Sequence, residues 1–328
     1  MLKQKRNKKI VCALTMTSLR EIIKPNKKFN LINLDEKKTV EFWIICLVVV
    51  IDLIFSVIIN LVIYRFGIFN WIYDITGFVT PTMLAYTILY LVIIGLLIIY
   101  LGKLKPKDLG FSTSKLWQGV LIVFVGWFII QIAGVIYSLI ISGTLTIDSY
   151  MVQSSAKLII IKNVVQWFFN APFEEFLFRE FLLTQLYLQF KNRLIDDPKS
   201  VKKSLTRSLI ISQLIFSFMH IPNRILWVVS SESYTVKEII WAAVNPLQYG
   251  VLFLIGLTFA MLYHRTDNIF IVIGIHALFN EPNSLFFPKW IGSILIYVLA
   301  IIIILFYPFF LSKYSKEKEI IIEKDKIP

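Results

Sequence analysis

Three groups of polar side chains stand in the most apolar part of the chain, and their types match the needs of peptide hydrolysis. They comprise six residues: Glu174, Glu175, Arg179, His220, His276 and Asn280. Cleavage of a peptide bond by water requires a base that takes a proton, a group that orients the water, and donors aimed at the developing oxyanion. Charged residues inside a spanning segment cost about 2.5–3.5 kcal/mol each on insertion scales, so the cluster around Glu174 indicates a functional site.

Helical spacing separates the two adjacent glutamates. At about 100° per residue, Glu175 and Arg179 lie at i and i+4 on one face and can pair, whereas Glu174 points about 100° away. Glu174 therefore has no built-in cation and is the better candidate for a general base. Glu175 with Arg179 is the better structural pair, and Glu180, beside Arg179, receives little functional weight.

Two of the three histidines lie in apolar runs. A lone histidine on an apolar face is more often a core residue, but Asn280 follows His276 by one helical turn, and both accompany an intramembrane Glu-Glu-Arg group. Our hypothesis is that Glu174 and His220 hold the attacking water while His276 and Asn280 donate to the oxyanion. No serine or cysteine stands beside a histidine as a nucleophile, so direct attack by water is favoured over an acyl-enzyme.

A zinc site is the alternative interpretation of the same residues. Glu174, His220 and His276 can bind zinc and leave one position open for water. The chain has no His-Glu-x-x-His helix, and its two cysteines, Cys12 and Cys46, provide no zinc-thiolate or disulfide pattern. The sequence therefore leaves two possibilities, no cofactor or zinc.

Composition and hydropathy indicate an all-α, polytopic membrane helix bundle. Hydrophobic residues make up 57% of the 328 residues, and the mean hydropathy is +0.72, well above the roughly 45–50% apolar content of soluble domains. Eight apolar runs are candidates for membrane helices: Phe42–Tyr64, Thr82–Leu101, Trp117–Ile141, Leu158–Phe190, Ser208–Ile221, Leu247–Tyr263, Ile269–Phe279 and Ile291–Leu311. The fourth is too long for one straight span, and a break is expected near Asn170–Pro172.

Basic residues predict the orientation of these helices. Alternating the eight crossings from a cytoplasmic N-terminus places 27 of the 34 Lys and Arg residues in cytoplasmic segments, as the positive-inside rule requires. The net charge of +13 is thereby explained by topology and contact with the lipid bilayer, and nucleic acid is not an expected partner. We predict a basic cytoplasmic segment at 1–41, a membrane domain at 42–311 and a charged cytoplasmic tail at 312–328 that needs no fold.

The ordered motifs resemble those of the CPBP family of intramembrane proteases, which includes CAAX prenyl endopeptidases of the Ras-converting type and bacterial Abi or bacteriocin-immunity proteins. The resemblance rests on Glu174-Glu175-x-x-x-Arg179, Phe216-x-x-x-His220 and His276-x-x-x-Asn280, and its core covers about 115–285. It implies a helical membrane domain with a water-accessible cavity. By motif position, Glu174 and His220 would activate water, His276 and Asn280 would form the oxyanion site, and Glu175 with Arg179 would support them.

The resemblance also implies a multi-pass protein of the bacterial cell membrane that cleaves a membrane-associated peptide or protein. The family is described both as metalloproteases and as metal-independent glutamate proteases, and the unpaired Glu174 favours the latter. Two other functions remain as alternatives: a membrane scaffold or bacteriocin self-immunity protein without turnover, and a proton-coupled transporter. A transporter would favour inverted repeats, whereas the polar clustering lies only in the C-terminal half of the chain.

Overall fold

The computed structural model describes residues 37–193, 200–230 and 234–324, and throughout these ranges the regular structure is helical, with no strand. Within these ranges, six helices are long and apolar enough to cross a membrane: Phe42–Tyr64, Pro81–Leu101, Pro106–Ser142, Val201–Val229, Val236–Thr266 and Lys289–Tyr307. A shorter apolar helix covers Ile269–Asn280. The predicted all-α, polytopic helix bundle is confirmed.

We number the α-helices in chain order. They are α1 Phe42–Ile58, α2 Asn70–Thr76, α3 Pro81–Leu89, α4 Thr113–Ser142, α5 Ser149–Gln153, α6 Ala156–Val164, α7 Ala171–Glu175, α8 Thr184–Asn192, α9 Ser200–Met219, α10 Ile221–Val229, α11 Val236–Val244, α12 Pro246–Thr266, α13 Ile269–Asn280 and α14 Lys289–Lys324. Wider π-helical turns continue or join several of them, at Ile59–Tyr64, Tyr90–Leu101, Val165–Asn170 and Phe176–Leu183.

The fourth apolar run is one uninterrupted helical segment from α6 to α8, so the break predicted near Asn170–Pro172 is wrong. Pro172 cannot donate a backbone hydrogen bond to the preceding turn, which normally kinks or ends a helix. Here the π-helical turn Val165–Asn170 precedes it and changes the hydrogen-bond register, and such turns occur often at functional sites. Pro172 then lies in the first turn of α7. Proline is favoured at this position because the missing N–H costs no hydrogen bond there.

The last helix also differs from the prediction. Helix α14 continues from the membrane segment to Lys324, so the charged tail, which was expected to need no fold, remains helical up to that residue. Lysine and glutamate dominate this stretch and are good helix formers. The basic segment 1–41 lies outside the described residues up to position 36.

Two glycines let α4 and α13 approach closely. A Cβ on Gly274 would lie 2.5 Å from Cγ2 of Val123, and one on Gly119 would lie 2.7 Å from Cβ of Phe270. Small residues at such contacts allow helix backbones to pack tightly in membranes. Helix α13 is thus fixed along α4, which also fixes the position of His276 two residues beyond Gly274.

A tight turn sets α13 beside α12. Asp267 has a left-handed backbone with φ of 48°, and Asn268 follows it as the N-cap of α13. The Asn268 side chain accepts from the backbone N–H of Phe270 at 3.0 Å and donates to the carbonyl of Lys115 at 2.7 Å. Lys115 also pairs with Asp267 at 2.8 Å. The short connection makes α12 and α13 neighbours and ties both to the start of α4.

One end of the bundle carries a set of basic residues, which we call the basic end: Lys37, Lys38, Lys103, Lys115 and Arg193. Lys37 Nζ lies 2.5 Å from a carboxylate oxygen of buried Glu180, and Lys38 Nζ donates to the carbonyl of Lys103 at 2.9 Å. Glu180 therefore pairs with Lys37 at the basic end. The sequence analysis predicted only a small role in function for this residue. The opposite end, formed by 65–80, 143–155, 234–245 and 281–288, is called the far end.

Candidate active site

A cavity of about 800 Å³ lies among α1, α3, the α6–α7 segment, α9, α10, α12 and α13. Glu174, His220, His276 and Asn280, which were predicted from three separate motifs, all line this cavity. Its size is typical of ligand-binding pockets in proteins. Glu175 and Arg179 do not line it and lie fully buried behind its wall.

The cavity extends from the middle of the bundle toward the far end. Several lining residues, among them Asp52, Phe178 and Ile255, lie near the middle of their helices. Other lining residues, such as Tyr64 and Asn245, lie where the helices reach the far end. None of the five residues of the basic end contributes to the lining, so the cavity lies between the middle of the bundle and the far end.

The predicted pairing of Glu175 with Arg179 is present in the structure. Arg179 Nε lies 3.0 Å from Glu175 Oε2, and both side chains are completely buried. The guanidinium stacks over Phe216 at 4.6 Å from the ring centre, and its NH2 group lies 3.4 Å from the carbonyl of Gly256. A Cβ on Gly256 would lie 2.6 Å from Oε1 of Gln213, so glycine allows this close contact of α9 with α12.

His276 lies between the two glutamates. Its Nδ1 is 2.6 Å from Glu175 Oε1, and its Nε2 is 3.8 Å from Glu174 Oε2. Because Glu175 also pairs with Arg179, the carboxylate accepts from Nδ1–H and fixes the orientation of the ring, as carboxylates do for catalytic and metal-binding histidines. A chain from Arg179 through Glu175 to His276 therefore directs Nε2 toward Glu174. The sequence pattern did not predict this bond, since positions 175 and 276 are on different helices.

Glu174 is the least enclosed member of the carboxylate pair. About 15% of its side chain is exposed, whereas that of Glu175 is completely buried. Among the described residues, the ion-pair contact of Glu174 is the one with His276, and no lysine or arginine pairs with it. The side chain faces the cavity, so it can contact water or a bound peptide.

The ring of His220 has one nitrogen engaged and one available. Nδ1 lies 2.8 Å from the carbonyl of Phe216, and since a carbonyl can only accept, Nδ1 carries a proton. In the neutral ring Nε2 is then a proton acceptor. His220 lies at the junction between α9 and α10 and lines the cavity. The spacing Phe216-x-x-x-His220 thus has a direct structural role, because the first residue holds the ring of the second.

Asn280 is held by a residue that the sequence pattern did not single out. Its Nδ2 donates to Gln166 Oε1 at 3.0 Å, and the same oxygen accepts from Asn170 Nδ2 at 3.0 Å. Tyr86 in turn donates its hydroxyl hydrogen to Asn170 Oδ1. One amide hydrogen of Asn280 is occupied by Gln166, which leaves the other for a group in the cavity. The π-helical turn at Val165–Asn170 places both Gln166 and Asn170 on the cavity wall.

Asp52 is a further cavity residue without a predicted role. It lies near the middle of the first membrane helix, has 6% exposure and lines the cavity with Glu174. The sequence contained a signal for it, because an aspartate that interrupts an apolar run is rare and usually faces a bundle interior.

The side chains considered for zinc do not have the arrangement of a metal site. Among the described residues, no three His, Cys, Asp or Glu side chains converge as metal ligands. Glu174 and His276 approach each other at 3.8 Å, but a zinc site with bound water uses three protein ligands. His276 also directs its Nδ1 to a carboxylate, which is common in zinc sites and equally serves a metal-free site. As placed in the described part of the chain, these residues do not form the three-ligand set that a zinc site needs.

Removal of the Arg179 side chain is expected to reduce stability and activity together. Loss of one partner from a fully buried ion pair leaves an uncompensated charge and costs about 3–5 kcal/mol, and Arg179→Ala would leave Glu175 in that state. We expect a lower yield of folded protein, an earlier thermal transition in detergent and low activity. As a control, Lys289→Ala breaks the half-exposed pair with Glu281 and should cost about 1 kcal/mol or less. Normal thermal stability of Arg179→Ala would contradict the pairing.

Comparison with known protein families gives one match that covers this site. Residues 156–281 match the family model described as type II CAAX prenyl endopeptidase Rce1-like. The match lies inside the predicted core 115–285 and includes all six residues of the three motifs. No curated protein and no solved structure matches the chain.

The fold and the family match define the class of protein. The family resemblance recognised in the sequence is confirmed, because the Rce1-like family model matched by residues 156–281 agrees with the CPBP family. The family supports an intramembrane endopeptidase in general terms, and the apolar helices indicate an integral, multi-pass membrane protein that would act on a membrane-associated substrate.

Proposed function

We propose that this protein is an intramembrane endopeptidase in which Glu174 and His220 activate water for attack on a peptide bond. The observation that carries the proposal is the convergence of Glu174, His220, His276 and Asn280 on one cavity, with Glu174 lacking a cationic partner among the described residues. A carboxylate and a neutral imidazole are both suited to take a proton from water. Attack of the water oxygen forms a tetrahedral intermediate, and the proton taken from water is later passed to the leaving amine.

His276 and Asn280 are proposed to stabilise the oxyanion of this intermediate. When His276 carries both ring protons, Nδ1–H donates to Glu175 and Nε2–H is available to the developing charge. The free amide hydrogen of Asn280 is a second donor on the same helix. Preorganised donors of this kind are a major source of rate enhancement in acyl transfer. Glu175 and Arg179 would act through His276 by holding its orientation.

The position of the cavity suggests where a substrate enters. The basic end carries residues of the segments that the positive-inside rule assigns to the cytoplasm, while the residues that line the cavity extend to the far end. We therefore propose that a membrane-associated peptide or protein reaches the site from the outer side of the membrane. The cleaved peptide bond would lie near the middle of the bilayer. It would belong to a segment that is exported, or to a membrane segment that has one end on the outer side of the membrane.

The proposed function can be tested by comparing membrane and secreted peptides from cells that express the natural protein or Glu174→Ala. Loss of specific peptides in the variant, together with accumulation of their precursors, is the expected result. Identical peptide profiles at equal protein levels would contradict turnover and would favour a scaffold or immunity protein.

The orientation gives a prediction that does not depend on catalysis. Reporter fusions at the C-terminus and within the 223–244 segment should report the cytoplasm and the outer side, respectively. A cysteine in place of Asn223, in a chain with Cys12 and Cys46 changed to serine, should react with a membrane-impermeant maleimide added outside intact cells. A cysteine in place of Lys103, at the basic end, should not react. The same side for both fusions would contradict eight crossings, and labelling of position 103 alone would reverse the proposed entry side.

A further inference from the structure

An arginine that lines the cavity has no ion-pair partner in the part of the chain that the structure describes. Arg224 lies on α10, one helical turn after His220, and both face the cavity. Among residues 37–193, 200–230 and 234–324, no carboxylate pairs with its guanidinium, no side chain or carbonyl hydrogen-bonds to it, and no aromatic ring stacks on it. Its Nε is completely buried and has an unused hydrogen. The side chain as a whole is half-buried, but a buried charged donor without a hydrogen-bond partner is costly unless a ligand satisfies it.

A second unused donor lies on a neighbouring helix. Nε2 of Gln248 is buried without a hydrogen-bond partner, and Gln248 lines the same cavity. It lies in the first turn of α12, where the Asn245 side chain caps the helix by accepting from the N–H groups of Leu247 and Gln248. Two buried N–H donors, one of them charged, thus lie on the cavity wall. Buried donors are nearly always bonded in proteins, so two of them in one cavity call for an acceptor.

The charges of the cavity indicate the nature of that acceptor. The carboxylates that line the cavity are Asp52 and Glu174, and neither lies within ion-pair distance of Arg224. An anion in the cavity would satisfy both unused donors, and arginine binds carboxylates especially well because its planar guanidinium can donate two parallel hydrogen bonds. Peptides carry carboxylates at their C-terminus and on acidic side chains.

We propose that Arg224 and Gln248 form a subsite that binds a carboxylate of the peptide substrate. As a substrate subsite it rests on the proposed function, whereas its affinity for a carboxylate can be measured without turnover. Four residues of helix advance about 6 Å, which separates Arg224 from His220 along α10. An extended peptide covers about 3.3 Å per residue, so the carboxylate would lie about two residues from the bond that is cleaved.

Binding of short peptides to the full-length protein tests the subsite. The protein carries Glu174→Gln so that the probes stay intact, and it is placed in phosphatidylcholine nanodiscs so that no anionic lipid competes. The probes are dansyl-Leu-Ile-Leu with a free C-terminus, the same peptide with an amidated C-terminus, and dansyl-Leu-Glu-Leu-amide. We expect the free acid to bind about 10- to 100-fold more tightly than its amide, since one charged hydrogen-bonded contact is lost. The third probe shows whether a side-chain carboxylate substitutes for the C-terminal one.

Variants of Arg224 assign the effect to this residue. Arg224→Gln should bring the affinities of the acid and the amide together, and Arg224→Lys should restore part of the difference because it keeps the charge without the guanidinium fork. Arg65→Gln is the matched control, since Arg65 is exposed near the far end and does not line the cavity, and it should leave the preference unchanged. Equal binding of the carboxylate probes and the amide, a preference that survives Arg224→Gln, or no binding of any probe would overturn the proposal. If the protein prefers the free acid but cleaves no peptide in cells, the carboxylate subsite would be supported and only the proposed function would be contradicted.

Discussion

Replacement of Glu174 by glutamine is expected to abolish proteolysis and leave the fold intact. Glutamine has nearly the same size, but its amide cannot take a proton from water, and general-base catalysis contributes about 10²–10⁴-fold to a reaction of this kind. The Glu174 carboxylate makes no ion pair with lysine or arginine in the described part of the chain, so its removal leaves no buried cation without a partner. His220→Ala should have a similar effect, since it removes the second group proposed to hold the water.

The measurement is cleavage of a peptide precursor by purified protein in bilayers, with expression, membrane insertion and thermal stability recorded in parallel. Glu41→Gln is a matched control because Glu41 is exposed, precedes α1 and does not line the cavity. It should retain normal turnover. Full activity of Glu174→Gln on an identified substrate would show that another group is the base, and Asp52, the other carboxylate of the cavity, would be the first residue to examine.

The contrast between Glu174 and Glu175 shows what helical spacing can predict. The i and i+4 relation was sufficient to pair Glu175 with Arg179 and to leave Glu174 unpaired, because both properties depend on one helix. The bond between His276 and Glu175 was not predictable in this way, since it depends on the close packing of α13 against α4 and the α6–α7 segment. Local spacing therefore separated the two carboxylates, while tertiary packing determined which of them orients the histidine.

The site residues that were not predicted from the sequence also show the limit of local spacing. Gln166 and Asn170 precede Glu174 by eight and four residues, so a helix that continues through Pro172 places all three side chains on one face. A proline in the middle of an apolar run predicts a break, and the π-helical turn that lets the helix continue through Pro172 has no comparable sequence signal. Arg224 was not singled out in the sequence, because the cavity that it lines is completed by residues of α1 and α12, far from it in the chain.

Replacement of Asn280 by alanine separates an oxyanion role from a metal site. If Asn280 donates to the developing oxyanion, Asn280→Ala should lower kcat about 10²–10³-fold and change KM little, since the donor acts mainly in the transition state. Asn163→Ala is the matched control: Asn163 exchanges amide hydrogen bonds with Asn283 at 3.0 and 2.6 Å but does not line the cavity. It should retain most of the activity. Equal losses in the two variants would indicate a structural role for both.

Zinc dependence is tested on the same purified protein. A catalytic metal supplies the activated water, so thorough chelation would remove activity and added zinc would restore it. We expect activity to survive chelation in protein that contains less than one equivalent of metal, because Glu174, His220 and His276 do not converge as ligands in the described part of the chain. In that case Glu174 and His220 would have to activate the water without a metal, and Asn280→Ala should be impaired with or without chelator. One mole of zinc per mole of active protein, lost together with activity in His276→Ala, would instead assign His276 to the metal and contradict its proposed role at the oxyanion.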